Sequence, residues 1–250
     1  MEKIRGIVLR TIKYGDNGYI VDMFTDSFGR MSFMMKRSGG KKKVVSGISS
    51  NLLPLSLLEF ECEVRPQQKL PLPKDIRNYH PFHSLHWNPM KSTLAFFIAE
   101  FLVNALKEEN ENRILFDYLE GSLLWLDNAD KGISNFHLAF LMHMTRFLGI
   151  YPNVNPQDAI LSKTSKSLFF FDMVQSEYRF GQPNHNNFLR PEEARAIPYL
   201  LNMRYENMHV YRLSGNQRRR CLEVLNEYYR IHLPNFGELK SIEVLHEVFN

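Results

Sequence analysis

Short apolar runs broken by turn residues fill positions 1–79, and their alternation predicts β-strands. Residues 4–14 are rich in β-branched side chains and lead into Gly15-Asp16-Asn17-Gly18, which has the chemistry of a turn. The runs 19–25 (YIVDMFT), 30–36 (RMSFMMK) and 52–60 (LLPLSLLEF) predict three more strands, with Pro54 confining the start of the last to an edge or an entry. A fifth, weaker run is expected within residues 63–72, where Pro66 and Pro71, with Pro73 just beyond, blur the pattern. Five short strands predict a small barrel, and the OB-fold is the five-stranded architecture that fits.

Past Tyr79 the apolar spacing changes to a helical one. Leu94, Phe97, Ile98, Phe101, Leu102 and Ala105 share a face, so residues 94–106 predict a central helix. Residues 114–126 and 136–148 predict two more, and Ser214 is positioned to cap a fourth that runs through Leu222, Leu225 and Tyr229. A last helix holds Ile242, Leu245 and Phe249. Between them, residues 151–191 carry prolines and asparagines at both ends and a hairpin-like centre, 167–171 against 177–180. The predicted class is α+β: an N-terminal OB barrel over residues 1–79, then a mainly helical domain over 80–250 with the hairpin-like insert at 151–191.

Composition narrows the setting. With 44% hydrophobic and 23% charged residues, the chain reads as a soluble globular protein. The first residues, MEKIRGIVLR, lack the apolar stretch of a signal peptide. The most apolar run is interrupted by Glu100 and Asn104, so no membrane span is expected. Cys62 and Cys221 stand far apart and read as reduced thiols in a cytoplasmic protein.

Charge is unevenly placed. The net charge is only +4, yet residues 29–47 carry Arg30, Lys36, Arg37, Lys41, Lys42 and Lys43, and no acid appears until Glu59. Lysines and arginines on a barrel loop are suited to phosphates, and Gly39 and Gly40 would let the backbone approach one. Tyr14, Tyr19 and Phe33 are candidate base-stacking rings, although strand alternation must send some of them inward. Arg218-Arg219-Arg220, at a predicted helix start, is a second basic cluster of which at most two members share a surface.

Other chemistry is thin. His80, His83 and His86 are spaced like ligands, but Pro81 interrupts the segment and no cysteine or carboxylate beside them completes a set, so no metal is expected. His137 and His143 are six apart on an apolar helix and read as packing residues. No phosphate loop, nucleophile elbow or zinc-protease motif is present, which points to a binder rather than an enzyme and to no cofactor.

The stretch 6–43 (GIVLRTIKYGDNGYIVDMFTDSFGRMSFMMKRSGGKKK) resembles the N-terminus of the RecO recombination mediators, in which a strand ending V-L-R precedes a Tyr-Gly turn, a T-x-x-x-G segment and a basic loop. LLPLSLLEFE (52–61), FFIAEFLVNAL (96–106) and YYRIHLPNFGELKS (228–241) resemble later parts of the same family. The resemblance implies an OB-fold joined to a helical domain. It also implies binding of single- and double-stranded DNA, annealing of complementary strands, and help in loading RecA onto DNA coated by the single-stranded-DNA-binding protein SSB. RecR and the acidic SSB tail are the implied partners. The helical domain would take the tail, with Arg146, Arg212, Arg218, Arg219 and Arg220 as its cations. Many members carry a four-cysteine zinc module between the helices, whereas residues 151–191 contain no cysteine. Two other readings stay open: an OB-fold module for RNA or tRNA, and a protein–protein adaptor whose basic loop meets an acidic partner.

Overall fold

The computed structural model describes residues 1–16, 18–36, 52–64, 70–107, 111–158, 160 and 169–249. Its longest strand, Glu2–Tyr14 (β1), pairs antiparallel with Gly18–Thr25 (β2). Gly29–Lys36 (β3) adds to β2, Leu57–Cys62 (β4) adds to the other side of β1, and Lys74–Asn78 (β5) adds to β4. The result is an antiparallel, OB-like five-stranded sheet in the order β3-β2-β1-β4-β5. It is an open sheet, and the Met34 N–H of β3 reaches across to Pro71 O, just ahead of β5, at 3.0 Å.

The fifth strand lies later than residues 63–72. Pro71 and Pro73 cannot donate to a ladder, and pairing starts only at Lys74, where Ile76 is the one apolar residue. The fourth strand starts at Leu57 because Leu53–Ser56 form a turn, with Leu55 at φ +67°.

A bulge sets the aim of β1. Val8 pairs with Met23, but the next pair is Arg10 with Asp22, so Leu9 is extra. Ahead of the bulge, Ile4 and Val8 face the inner cluster of Val21, Met23, Phe33, Met35, Leu58 and Phe60. Beyond it the alternation is reversed, and Thr11 and Lys13 take the inner register while Arg10, Ile12 and Tyr14 take the outer one.

Two helices follow the sheet in this unit. Pro89–Ala105 (α1) is capped by the Asn88 side chain, which accepts from Met90 N–H and Lys91 N–H, with Pro89 pre-set at the first helical position. Arg113–Asn128 (α2) is capped by Asn112 and brings Phe116 onto the outer side of Phe24 at 6.4 Å. Arg5 lies 5.2 Å from the Phe116 ring and ties Asp26 and Glu120 together. The compact unit spans Met1–Ala129 and Leu239–Val248, so it extends well past Tyr79. Glu100 accepts from the backbone N–H groups of Lys240 and Ser241, both at 2.9 Å, at the start of the last helix, Ser241–Phe249.

The second unit spans Asp130–Glu238 with Phe249–Asn250. Its helices include Phe136–Phe147 (α3), the short Pro191–Ala194 (α4) and Ile197–Asn202 (α5), and Gly215–His232 (α6). Ser214 and Gln217 form a reciprocal capping box at the start of α6. The hairpin within 151–191 is Phe169–Asp172 (β6) and Glu177–Phe180 (β7), joined by Phe188–Leu189 (β8) in the order β7-β6-β8. Phe171, Tyr178 and Leu189 pack with Ile197, Val224 and Tyr228 beneath it. No helix of the described residues is long and apolar enough to cross a membrane.

Candidate nucleic-acid interface

Cross-strand partners share a face, so the register beyond the bulge builds rows on the outer side of β1, β2 and β3. One row is Arg10, Asp22 and Ser32, and the next is Ile12, Ile20 and Met34. In the last, Tyr14 lies opposite Gly18, which pairs in turn with Lys36. Tyr14 is 57% exposed and Ile12 44%, while Ile20 and Met34 are half-buried. A Cβ on Gly18 would come within 3.0 Å of Tyr14 O and 3.6 Å of Met34 Sδ, so glycine keeps this row shallow. The surface is apolar with one aromatic ring, and it ends at the strand that leads into the lysine-rich stretch.

The other two candidate rings turn inward. Tyr19 pairs with Lys13 and packs on the inner cluster, and Phe33 is fully buried against Phe60 at 4.9 Å. Ile12, Ile20 and Met34 were not legible as one row, because Ile12 comes to lie beside the other two only through the bulge at Leu9.

The cations divide in the same way. Arg30 turns into the protein, where Nη1 donates to Val103 O at 2.7 Å and Leu106 O at 2.6 Å, at the C-terminal end of α1. Those carbonyls have no helical partner of their own, so a guanidinium is well matched to them. Arg10 donates to Asp22 Oδ2 through Nη2 at 2.7 Å, and Arg30 Nη2 adds a longer contact of 3.5 Å. Burial pushes the Asp22 carboxyl up, but the Ser32 hydroxyl, Arg10 and Arg30 outweigh it and hold the group below its ordinary value. Lys36 closes β3, whereas Arg37, Lys41, Lys42 and Lys43 lie outside the described residues.

The histidine segment is tied into its unit through one ring and several backbone groups. His86 Nε2 lies 2.9 Å from Pro54 O, and the backbones of His83, Ser84 and Leu85 donate to the Asp127 carboxylate at 2.7–2.9 Å. Among the described residues no group of three His, Cys, Asp or Glu side chains is placed to hold a metal ion. His137 and His143 lie against the rings of Phe249 and Tyr205.

In the second unit the five candidate arginines are dispersed. Arg218 donates to Asn135 Oδ1, Phe249 O and Leu213 O at 2.7–3.1 Å, and burial pushes its guanidinium below the ordinary value. Arg219 pairs with Glu223 at 3.0 Å, and Arg220 with Glu193 at 2.6 Å and Glu223 at 3.4 Å. Arg146 lies over the Tyr151 ring at 4.4 Å, and Arg212 is exposed. Arg220 borders a cavity of ≈ 360 Å³ between α4, α5 and α6, floored by Leu189, Ile197, Leu200 and Val224. Arg195, on the same rim, is exposed and makes no ion pair with a described residue. It escaped notice in the sequence because it stands alone between Ala194 and Ala196 rather than in a charge run.

One side-chain pair has the look of hydrolytic chemistry. His232 Nε2 lies 3.2 Å from Ser176 Oγ, but it also lies 2.7 Å from Met173 O. A carbonyl only accepts, so Nε2 carries the proton and cannot take one from Ser176.

The chain matches the family models Recombination protein O N terminal over residues 1–81 and Recombination protein O C terminal over residues 88–241. It is 44% identical over 250 residues to a protein of Phocaeicola vulgatus named DNA repair protein RecO, with all of both chains covered. Proteins of the same name from Bacteroides fragilis and Flavobacterium psychrophilum are 42% and 34% identical, over 100% and 99% of both chains. Matches that run from end to end in both halves leave one assignment: the chain belongs to the RecO family.

Proposed function

We propose that this protein is a cytoplasmic recombination mediator in DNA repair that binds single- and double-stranded DNA and anneals complementary strands. In the same reading it helps load RecA onto SSB-coated DNA, with RecR and the SSB tail as partners. The observation that carries the reading is the outer face of β1–β3, where exposed Tyr14 stands beside Ile12, Ile20 and Met34 on the sheet that feeds the acid-free stretch from Lys36 to Lys43. Rings and apolar side chains accept unpaired bases of any sequence, and lysines screen the repulsion between two backbones. Annealing needs both and requires no base readout. The cavity edged by Arg195 and Arg220 supports an SSB-tail site, since an acidic peptide with an apolar end needs a greasy floor and a cationic rim. No step asks for a catalytic residue or a cofactor. A strand-annealing assay with and without SSB tests the reading. Annealing that SSB does not block supports it, while no salt-sensitive binding to DNA would favour the adaptor, and preference for matched RNA oligonucleotides the RNA-binding module.

A further inference from the structure

The outer face of the sheet is covered at one end and open at the other. In the row Ile7, Phe24 and Arg30, Ile7 and Phe24 are buried, Phe24 against Phe116 of α2, and Arg30 is tied to the C-terminal end of α1. The bulge at Leu9 follows, and the next row is Arg10, Asp22 and Ser32, where the Arg10 side chain is 52% exposed. Ile12 and Tyr14 come after Arg10 at every second residue of β1, so the three stand on one side of the strand. From Arg10 to Tyr14 the strand rises about 13 Å.

Charge on this face is unbalanced. The carboxylate in these rows is that of Asp22, and it is buried. It accepts from Arg10 Nε at 3.1 Å and Nη2 at 2.7 Å, from the Ser32 hydroxyl, and from Arg30 Nη2 at 3.5 Å. Two guanidinium groups thus meet one carboxylate, and Arg10 is the more exposed of the two. Among the described residues no other carboxylate lies within ion-pair reach of Arg10. Asp16 is exposed, but it sits in the turn past Tyr14, and Glu108 and Glu109 lie outside the described residues. Both bonds from Arg10 end on the same oxygen, Oδ2, and its Nη1 makes no hydrogen bond to a described residue. A guanidinium has five N–H donors, so the two on Nη1 are left for an acceptor from outside.

We propose that Arg10 binds a phosphate of unpaired nucleic acid whose bases lie along Ile12 and Tyr14, with Asp22 as the positioning residue that holds the guanidinium in place. A phosphate that takes Nη1 need not displace Asp22, so the pair stays intact on binding. A planar cation held by two bonds loses little freedom when it meets a second anion, and it stands beside the side chains that accept bases. Backbone and bases thereby have separate seats on one strand. The inference rests on the nucleic-acid reading above and names a phosphate contact within it, and its test separates the two.

Binding of oligo(dT) to the full-length protein over a salt series tests this. Arg10→Ala is expected to weaken binding about fivefold or more in low salt. It should also lower the slope of log K against log salt by about 0.7, the share of one phosphate of a single strand. Arg10→Lys keeps the charge and is expected to keep the wild-type slope. Because Arg10→Ala takes a partner from a buried carboxylate, the double variant Arg10→Ala/Asp22→Asn removes both charges and separates contact from folding. The double variant, folded by circular dichroism, is expected to retain the reduced slope. If it recovers the affinity and slope of wild type, Arg10 serves only to balance Asp22, and the inference falls while the nucleic-acid reading stands. A loss of affinity with no change of slope in either alanine variant overturns it in the same way. If wild type binds no oligonucleotide in low salt, both fall.

Discussion

Asp127 grips Ser84 through its carboxylate and its backbone at once. Its Oδ1 accepts the Ser84 N–H at 2.8 Å, and its carbonyl accepts the Ser84 hydroxyl at 2.7 Å. The same carboxylate also accepts the N–H groups of His83 and Leu85, so the end of α2 organises the segment that enters α1. Burial pushes the Asp127 carboxyl up, but these three backbone donors and the Ser84 hydroxyl prevail and hold it below its ordinary value. A carboxyl with a depressed folded value contributes stability above its unfolded pKa and loses it as pH falls through the folded one. Asp127→Asn places amide hydrogens against backbone donors and is expected to cost about 2–4 kcal/mol at neutral pH. Urea unfolding from about pH 7 down to about pH 3 should show a flatter acid loss in the variant than in wild type. Parallel curves would assign the acid loss to other carboxylates.

Arg30 and the lysine triplet are expected to separate cleanly. Arg30→Ala removes two bonds to the carbonyls of Val103 and Leu106, so stability should fall by about 1–3 kcal/mol. The salt dependence of DNA binding should stay as in wild type. Replacing Lys41, Lys42 and Lys43 together should do the reverse. Unfolding should be unchanged, while the slope of log K against log salt should fall by about 0.7 for each phosphate of a single strand that is no longer neutralised. Filter binding at several salt concentrations reads both, and an unchanged slope in the triple variant would remove the lysines from the interface.

Where signals are local, the sequence was a good guide. The Ser214 cap lies within one turn of the groups it serves, and four of the five strands announce themselves by alternation. What was hidden depends on distant partners or on a single inserted residue. Arg30 reads as one more cation in a basic run until carbonyls 73 and 76 positions away claim it. Tyr14 faces outward because Leu9 is extra in β1, and nothing in the alternation marks that residue as a bulge. β5 offers Ile76 alone as an apolar residue, too little for a period to appear. The OB-like sheet was therefore legible, and the choice of which rings and cations it presents was not.

The hairpin within 151–191 is expected to stand without metal. Phe171, Tyr178 and Leu189 are buried in it, and the Tyr178 hydroxyl donates to Ala194 O at 2.6 Å. Asp172 adds a polar brace, accepting from Val174 N–H, Gln175 N–H and His185 Nε2 at 2.9–3.1 Å. Protein purified without a polyhistidine tag should contain no stoichiometric zinc, and a chelator should leave its melting temperature unchanged. Tyr178→Phe strands a buried carbonyl and should cost about 1–2 kcal/mol. One tightly held zinc per chain would mean that the brace is not what holds the hairpin.

The cavity beside α6 yields the last prediction. Its floor of Leu189, Ile197, Leu200 and Val224 is apolar, and its rim holds Arg195, exposed and unpaired among the described residues, and Arg220, already bound to Glu193 and Glu223. An acidic tail peptide must compete with two carboxylates for Arg220, whereas Arg195 is open to it. Arg195→Glu is therefore expected to weaken the SSB tail peptide more than Arg220→Ala, by about tenfold in low salt. That difference should shrink as salt rises, because exposed charges are screened. Removing the terminal apolar residue of the peptide should cost at least as much and should show little salt dependence, since the floor supplies that part of the affinity. Fluorescence anisotropy of a labelled tail peptide on the full-length protein measures each effect. Equal binding by wild type and Arg195→Glu at low salt would move the tail site away from this cavity.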